Sequence, residues 1–352
     1  MSKENTLQIG IIGGGQLAQM MCLAAQQHNI ATKIYSDLPA IAAPFAEQTI
    51  IAPYADQQKF AEFVDSVSAI CFEFENIPLE PLKKYAAQHK FRPNLEALRI
   101  SQDRLIEKEF FNDLGFKTAP YQKLCKENYQ EQLLEFKQQA IIKTTRFGYD
   151  GKGQFKITNL ADLQNFQAEL AQIQQELIIE DLVPFSRELS IIAARDIFGH
   201  IIFYPLAENI HENGILRTTI FPAADCSKLQ IQAEKIATAT LEKLDYVGVL
   251  AIEFFVVGDE LLINEFAPRP HNSGHYTIDG ATVSQFEQAI LAAAGKEVIK
   301  PELKTSGKMH NLLGEEISQV AELKSKANHF VHNYGKATSA PLRKMGHYTV
   351  LD

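Results

Sequence analysis

Ile141-Ile142-Lys143-Thr144-Thr145-Arg146-Phe147-Gly148-Tyr149-Asp150-Gly151-Lys152-Gly153-Gln154 runs from an apolar strand, through a cation, into a segment with three glycines in six residues. This order predicts a strand feeding a phosphate-gripping hairpin. Gly148, Gly151 and Gly153 permit positive φ and close backbone approach, so main-chain N–H groups can face anionic oxygens while Lys143 and Lys152 supply charge. Such a loop can close as a lid over a nucleotide. It is not a P-loop, because no Gly-Lys pair in the chain is followed by Ser or Thr to hold magnesium. Metal ligands must lie elsewhere. Alone, the segment would equally suit an ordinary hairpin turn, so its flanks decide.

Downstream, Glu180-Asp181-Leu182-Val183-Pro184 reads as a strand ending in a proline-terminated hinge, where unpaired backbone groups can meet an adenine edge or simply end a strand. Further on, Val247–Phe255 and Leu261–Glu265 are apolar strands joined through Gly258-Asp259, each carrying an acid, Glu253 and Glu265. Burying a carboxylate is costly unless it is paired or metal-bound, so two in one hairpin favour magnesium between them. A two-residue turn would pair Val257 with Glu260 and set Glu253 opposite Asn264, sending the two glutamates to opposite faces. The expectation is therefore a three-residue loop, Gly258 to Glu260, or another odd-length turn or bulge.

Pro268-Arg269-Pro270-His271-Asn272-Ser273-Gly274-His275 follows, a rigid loop rich in hydrogen-bonding groups. Its His-x-x-x-His spacing admits zinc, but the two prolines and the lack of a nearby third ligand favour a polar substrate loop. A small β-rich tail then carries Lys336 and Arg343.

Upstream, Leu7–Ile12 enters Gly13-Gly14-Gly15-Gln16-Leu17-Ala18 and then a helical pattern. Gly13, Gly15 and Ala18, with Asp37 downstream, also satisfy a dinucleotide fingerprint, leaving an NAD-dependent oxidoreductase as an alternative. The weaker reading is a helix N-terminus suited to some phosphate. Glu73, Glu75 and Asn76 lie at the end of the strand Ala69–Glu73, where open α/β sheets bind ligands. A helix is expected over Leu79–Gln88 and another over Leu95–Leu114, with the charges of Asp103–Lys108 forming a solvated face.

A length of 352 residues calls for two or three domains, and 46% hydrophobic with 22% charged residues is ordinary globular composition. A formal charge of −9 argues against duplex nucleic acid as partner. Four cysteines without a Cys-x-x-Cys suggest reduced thiols, and with no leader-like or membrane-length apolar run the expected place is the cytoplasm.

Taken together, the glycine-turn domain, lysine strand, glycine-rich lid, hinge and two-glutamate hairpin resemble the ATP-grasp superfamily across essentially the whole chain. Within it, Gly148–Gln154 and Ala267–His275 resemble the N5-carboxyaminoimidazole ribonucleotide synthase family of purine synthesis. The resemblance implies an α/β and α+β architecture: a Rossmann-like doubly wound domain (residues 1–98), an ATP-grasp domain (99–297) and a small β-rich C-terminal domain (298–352). It implies ATP contacts at Arg104, Lys143, Gly148, Tyr149, Asp150, Gly151, Lys152, Gly153, Gln154, Glu180, Asp181, Leu182, Val183, Glu188, His211, Asn264 and Glu265. Mg2+, or Mn2+, would sit on Glu253 and Glu265. Aminoimidazole ribonucleotide would meet Gly15, Gln16, Leu17, Glu73, Asn76, Tyr149, Arg269, His271, Asn272, Ser273, Lys336 and Arg343, with Asp150, Arg269 and Lys336 as catalytic candidates. Further implications are bicarbonate as co-substrate, carboxyphosphate as intermediate, a homodimer, and hand-over of product to a separate mutase. One departure is Ala267, where many ATP-grasp enzymes place asparagine. Alternatives are a formate-dependent glycinamide ribonucleotide transformylase and a non-catalytic nucleotide-binding regulator.

Overall fold

The computed structural model describes residues 7–136, 139–148 and 153–352. Tyr149, Asp150, Gly151 and Lys152 of the lid therefore lie outside the described residues. The N-terminal part is a four-stranded parallel sheet, in the order Gln48–Ile51, Ala31–Ser36, Gln8–Ile12, Ala69–Phe72. Its central strands are largely buried because both faces are covered. Ile9 and Ile11 pack with helix Gln16–Gln27 and with Phe286 and Ile290 of helix Gln285–Ala293, while Ile12, Ile70 and Phe72 pack with Phe60 and Phe63 of helix Gln57–Asp65.

A second, antiparallel sheet orders Tyr121–Leu124, Leu177–Asp181, Ala140–Thr144 and Gln154–Ile157. Lys143 pairs with Gln154 across the lid hairpin, as the glycine-rich stretch requires. A nine-stranded antiparallel sheet holds the rest, running from the Glu260–Ala267 edge through Gly248–Val257 and Arg187–Arg195 to the C-terminal strands Gly307–Leu313, Lys344–Leu351 and His329–Asn333. The β-rich tail thus continues the central sheet through the pairing of Ile215–Phe221 with Gly307–Leu313.

Three sequence expectations are corrected. Leu79–Gln88 is two short pieces, Glu80–Lys83 and a 3-10 turn Ala86–Gln88, broken where Lys84 and Tyr85 leave the helix. Leu95–Leu114 is also two helices, Leu95–Ser101 and Arg104–Asp113, because the Asp103 side chain turns back to accept from the Leu105 amide and starts the second helix afresh. Its charges do not form a solvated face. Glu107 and Lys108 are buried with Phe111, so the inward stripe at i, i+3, i+4 and i+7 from Arg104 is mostly charged.

The third correction concerns the hairpin. Val257 pairs with Glu260 across a two-residue Gly258-Asp259 turn, with Gly258 at φ +60 as a type II′ turn needs at its first position. The three-residue loop does not form. The register instead shifts between Phe254↔Ile263 and Glu253↔Glu265, leaving Asn264 as the extra residue of a bulge. That one-residue slip brings the two glutamates opposite each other, the outcome the metal reading needed.

Candidate active site

Between these sheets lies a cleft of about 1480 Å³. Pockets for one small molecule occupy roughly 300–1,000 Å³. The room suits two substrates.

Its floor is a buried ionic cluster. Lys143 Nζ lies 2.8 Å from Glu180 Oε2, and Lys108 Nζ is 3.5 Å from Glu180 Oε1. Burial alone would raise the Glu180 pKa, but Lys143, Lys108 and Arg104 outweigh it and hold the carboxyl at about 2. Glu180 is thereby a carboxylate that fixes Lys143 at the base of the lid hairpin. Burial lowers the pKa of Lys108 itself, against the pull of Glu180.

The wall is the bulged hairpin. Arg104 Nη1 reaches Glu265 Oε2 at 3.1 Å, and the Arg104 amide donates to the Thr145 carbonyl at 2.9 Å, tying this helix start to the lid strand. Burial opposes ionisation of Glu265, yet Arg104 and Lys143 outweigh it and lower its pKa. Glu253 has less help, from His211 and Lys344. Burial and the charge of Glu265 push it up to about 7. Its near neighbour His271, 3.7 Å away, is driven well below the usual imidazole range by burial and by Arg269, and so brings no positive charge. Two facing carboxylates, one of them without a Lys or Arg ion pair among the described residues, fit a hard divalent cation with oxygen ligands.

Beside them, Glu107 accepts from the Phe266 amide at 2.6 Å, and burial with the charge of Glu265 raises its pKa to about 8. His211 Nδ1 stands 3.2 Å from Glu188 Oε2. Burial disfavours its protonated form, but Glu188 and Glu253 outweigh that and raise its pKa.

The far end of the cleft is the polar loop. Arg269 Nε lies 2.5 Å from Glu75 Oε2; burial works against both charges, and each holds the other ionised. His271 Nδ1 meets Ser273 Oγ at 2.9 Å. Asn272 and Asn311 exchange amide hydrogen bonds of 3.0 and 2.7 Å, fastening the loop to strand Gly307–Leu313. His275 Nδ1 faces the Gln285 amide at 3.2 Å. The two rings thus have different side-chain partners, while Gln285 also bonds the His271 backbone amide and carbonyl and so braces both ends of the loop.

Most of the expected site residues line this cleft: Gln16, Leu17, Glu73, Asn76, Arg104, Lys143, Gly148, Gly153, Gln154, Leu182, Glu188, His211, Glu253, Asn264, Glu265, Arg269, His271, Asn272, Lys336 and Arg343. Gly15, Glu180, Asp181, Val183 and Ser273 are not among the lining residues. Glu180 acts through Lys143, Ser273 through His271, and the Asp181 amide is already bonded to the Pro120 carbonyl at 2.9 Å. A Cβ on Gly15 would come within 2.4 Å of Glu73 Oε1, so the glycine makes room for a carboxylate. Burial raises the Glu73 pKa, opposed by Arg269 and by the amides of Gly15 and Leu17. The helix N-terminus faces Glu73, an arrangement hostile to the pyrophosphate of a dinucleotide.

Comparison with known proteins agrees with this geometry. The ATP-grasp domain model matches residues 109–286, the ribonucleotide synthetase preATP-grasp domain model residues 6–102, and the phosphoribosylaminoimidazole carboxylase C-terminal domain model residues 308–352. The N5-carboxyaminoimidazole ribonucleotide synthase of Brucella melitensis is 41% identical over 344 residues, 97% of this chain and 95% of that protein. The chain belongs to the N5-carboxyaminoimidazole ribonucleotide synthase family. Two solved members have the same fold. The Staphylococcus aureus synthetase complexed with ADP matches with TM-score 0.92 at 34% identity, over 98% of this chain and 93% of that one. The Thermus thermophilus synthetase matches with TM-score 0.89 at 38% identity, over 98% and 93%. Membership in this ATP-grasp ligase family sets aside the oxidoreductase, transformylase and regulator alternatives.

Sequence reasoning missed Lys108 and Glu107 of this family member. The available signal was their spacing from Arg104 and Phe111 on one helical face. Glu75 was noticed at its strand end, but not as the partner of Arg269.

Proposed function

We propose that the cleft binds ATP and 5-aminoimidazole ribonucleotide side by side, and that the enzyme carboxylates the aminoimidazole amine with bicarbonate. The products are N5-carboxyaminoimidazole ribonucleotide, ADP and phosphate. The observation that carries this reading is the bulged pairing of Glu253 with Glu265, which sets two acids between a lysine-floored lid and an arginine-histidine loop.

In this reading, Lys143, positioned by its ion pair with Glu180, meets the ATP phosphates, and Glu188 with His211 meets the ribose side. Magnesium on Glu253 and Glu265 supplies charge neutralisation for the triphosphate. A bicarbonate oxygen takes the γ-phosphoryl group as ADP leaves, giving carboxyphosphate. The aminoimidazole nitrogen then attacks the carboxyl carbon, directly or after carbon dioxide is released; phosphate departs and the amine loses a proton. Arg269, fixed by Glu75, and the neutral ring of His271 orient the imidazole, while Lys336 and Arg343 supply positive charge from the loop between the last two strands. Lid residues 147–154, with Asp150 as candidate proton acceptor, exclude water from a labile intermediate. Four unpaired thiols accord with a reducing compartment, the cytoplasm.

Phosphate release is the test, measured with ATP, bicarbonate and aminoimidazole ribonucleotide, each omitted in turn. Release should depend on all three. Full-rate release without aminoimidazole ribonucleotide and bicarbonate would sink the proposal.

A further inference from the structure

Outside the cleft, three side chains of metal-ligand type converge where the C-terminal strands meet the ATP-grasp part. His332 and His347 are paired directly across strands His329–Asn333 and Lys344–Leu351, and their rings stack at 4.5 Å with 17° between planes. Residues opposite each other on antiparallel strands project from one face. Asp279 comes to the same place from helix Thr277–Gly280, its Oδ2 2.9 Å from His332 Nε2. One ligand atom from each of the three lies within 4.8 Å of the other two.

An ion pair would account for Asp279 and His332, but it leaves His347 unexplained. This ring is 0% exposed, its Nδ1 sits 2.9 Å from the Tyr334 hydroxyl, and its Nε2 has no hydrogen-bond partner among the described residues. A buried polar atom left unpaired bears its full desolvation penalty, so such an atom in a native fold calls for a missing partner. A neutral imidazole has a lone pair to offer a metal ion. If the Tyr334 oxygen accepts the Nδ1 proton, that lone pair is on Nε2, the way an outer partner orients a metal-bound histidine.

We infer that Asp279 Oδ2, His332 Nε2 and His347 Nε2 together bind one divalent transition-metal ion of the zinc class. Two imidazoles and one carboxylate suit zinc or cobalt rather than magnesium, and three protein ligands leave a fourth position for water. Bonds of about 2.0–2.2 Å call for a closing movement and for the His332 ring to turn out of its stack with His347, so that both ring-plane lone pairs meet at one ion. Asp279 and His332, neither fully buried, can make that adjustment. The ion pins residues 334–343, which carry Lys336 and Arg343, against the helix that follows the substrate loop. The His275 ring, 4.9 Å from that of His347, is the nearest part of that loop.

The test is zinc binding by the full chain, stripped with chelator and dialysed against zinc in the presence of excess magnesium to fill oxygen-ligand sites. Wild type and Glu265→Gln should each retain one zinc per chain, and zinc should raise the wild-type thermal midpoint. His332→Ala and Asp279→Asn should bind at least ten-fold more weakly and lose the thermal shift. Neither replaces a fully buried residue, so both should fold, which circular dichroism checks. Cobalt in place of zinc should give visible absorption in wild type that His332→Ala lacks. No zinc retained by wild type, or equal retention by wild type and both variants, would overturn the site.

Discussion

Two buried ionic clusters lie in the same cleft and are built on opposite principles. Around Glu180 the protein supplies both signs, so the carboxyl is held at about 2 by Lys143 and Lys108. Around Glu253 and Glu265 it sets like charges face to face, and Glu253 is pushed up to about 7. In the first cluster the chain supplies the counter-charges itself, and in the second it leaves Glu253 without a Lys or Arg ion pair among the described residues. Removing one partner of a completed buried pair strands the other charge. Removing the less compensated of two like charges, Glu253, relieves the fold and harms only what it was there to bind. Stability should therefore report on the floor and turnover on the wall.

The largest effect is expected at the wall. Glu265→Gln keeps the size and removes one charge from the proposed magnesium site, so turnover should fall by roughly 10²–10³-fold, the scale of losing one electrostatic contact in a transition state. Because Glu265 also pairs with Arg104, the thermal midpoint of this variant should fall somewhat, whereas Glu253→Gln, at the acid whose pKa is raised, should leave the midpoint near wild type or raise it. Steady-state kinetics across a magnesium series, with a melting curve alongside, decides this, and an unchanged rate at ordinary magnesium would collapse the distinction.

Next comes the floor. Glu180→Gln strands Lys143 and Lys108 in a buried site and should cost on the order of 3–5 kcal/mol in denaturant unfolding. The sign with pH follows from a folded pKa of about 2 against an ordinary 4.5. A depressed folded pKa contributes stability that is complete above the ordinary value and is lost as pH falls toward about 2. The gap between wild type and Glu180→Gln should hold at neutral pH and narrow below about 4.5. A gap that stays constant through acid would mean that Glu180 is not the ionised hub described.

The smallest effect sharpens the contrast by moving the same chemistry into water. Lys117 Nζ and Glu260 Oε2 are 2.7 Å apart but both side chains are mostly exposed. Lys117→Ala should change stability by less than about 1 kcal/mol, and by less still in high salt. A loss comparable with that of Glu180→Gln would show that burial is not what separates these pairs.

How far the sequence revealed this varied with the kind of signal. Lys143 and its glycine-rich loop were legible because strand, cation and glycines are consecutive. The two glutamates were legible as a conflict, since acids in apolar strands require an explanation, and a bulge was among the solutions admitted, but its place was not legible. Turn chemistry favoured a two-residue loop and face matching demanded an odd count; a bulge at Asn264 meets both, and nothing in the letters marks it. Lys108 was hidden by the rule that charged residues face water, which fails where a helix lines an ionic floor. Asn311 and the Asp279, His332 and His347 group were invisible for another reason. Their members are far apart in the chain and meet only through the pairing of the last strands with the rest of the sheet.

The bulge at Asn264 makes the hairpin read length differently on its two strands. Deleting Asn264 would close a regular ladder in which Ile263 still faces Phe254 and Glu265 still faces Glu253, so every neighbour keeps its side of the sheet and only the contacts of Asn264 itself are lost. Deleting Phe254 from the facing strand has the opposite result. With the turn kept, a regular ladder would then set Glu253 against Ile263, and restoring the two acids would require a second surplus residue beside Asn264. The spare residue therefore gives one strand a tolerance for shortening that the other lacks, and a frame-preserving deletion can part the two acids with neither of them substituted.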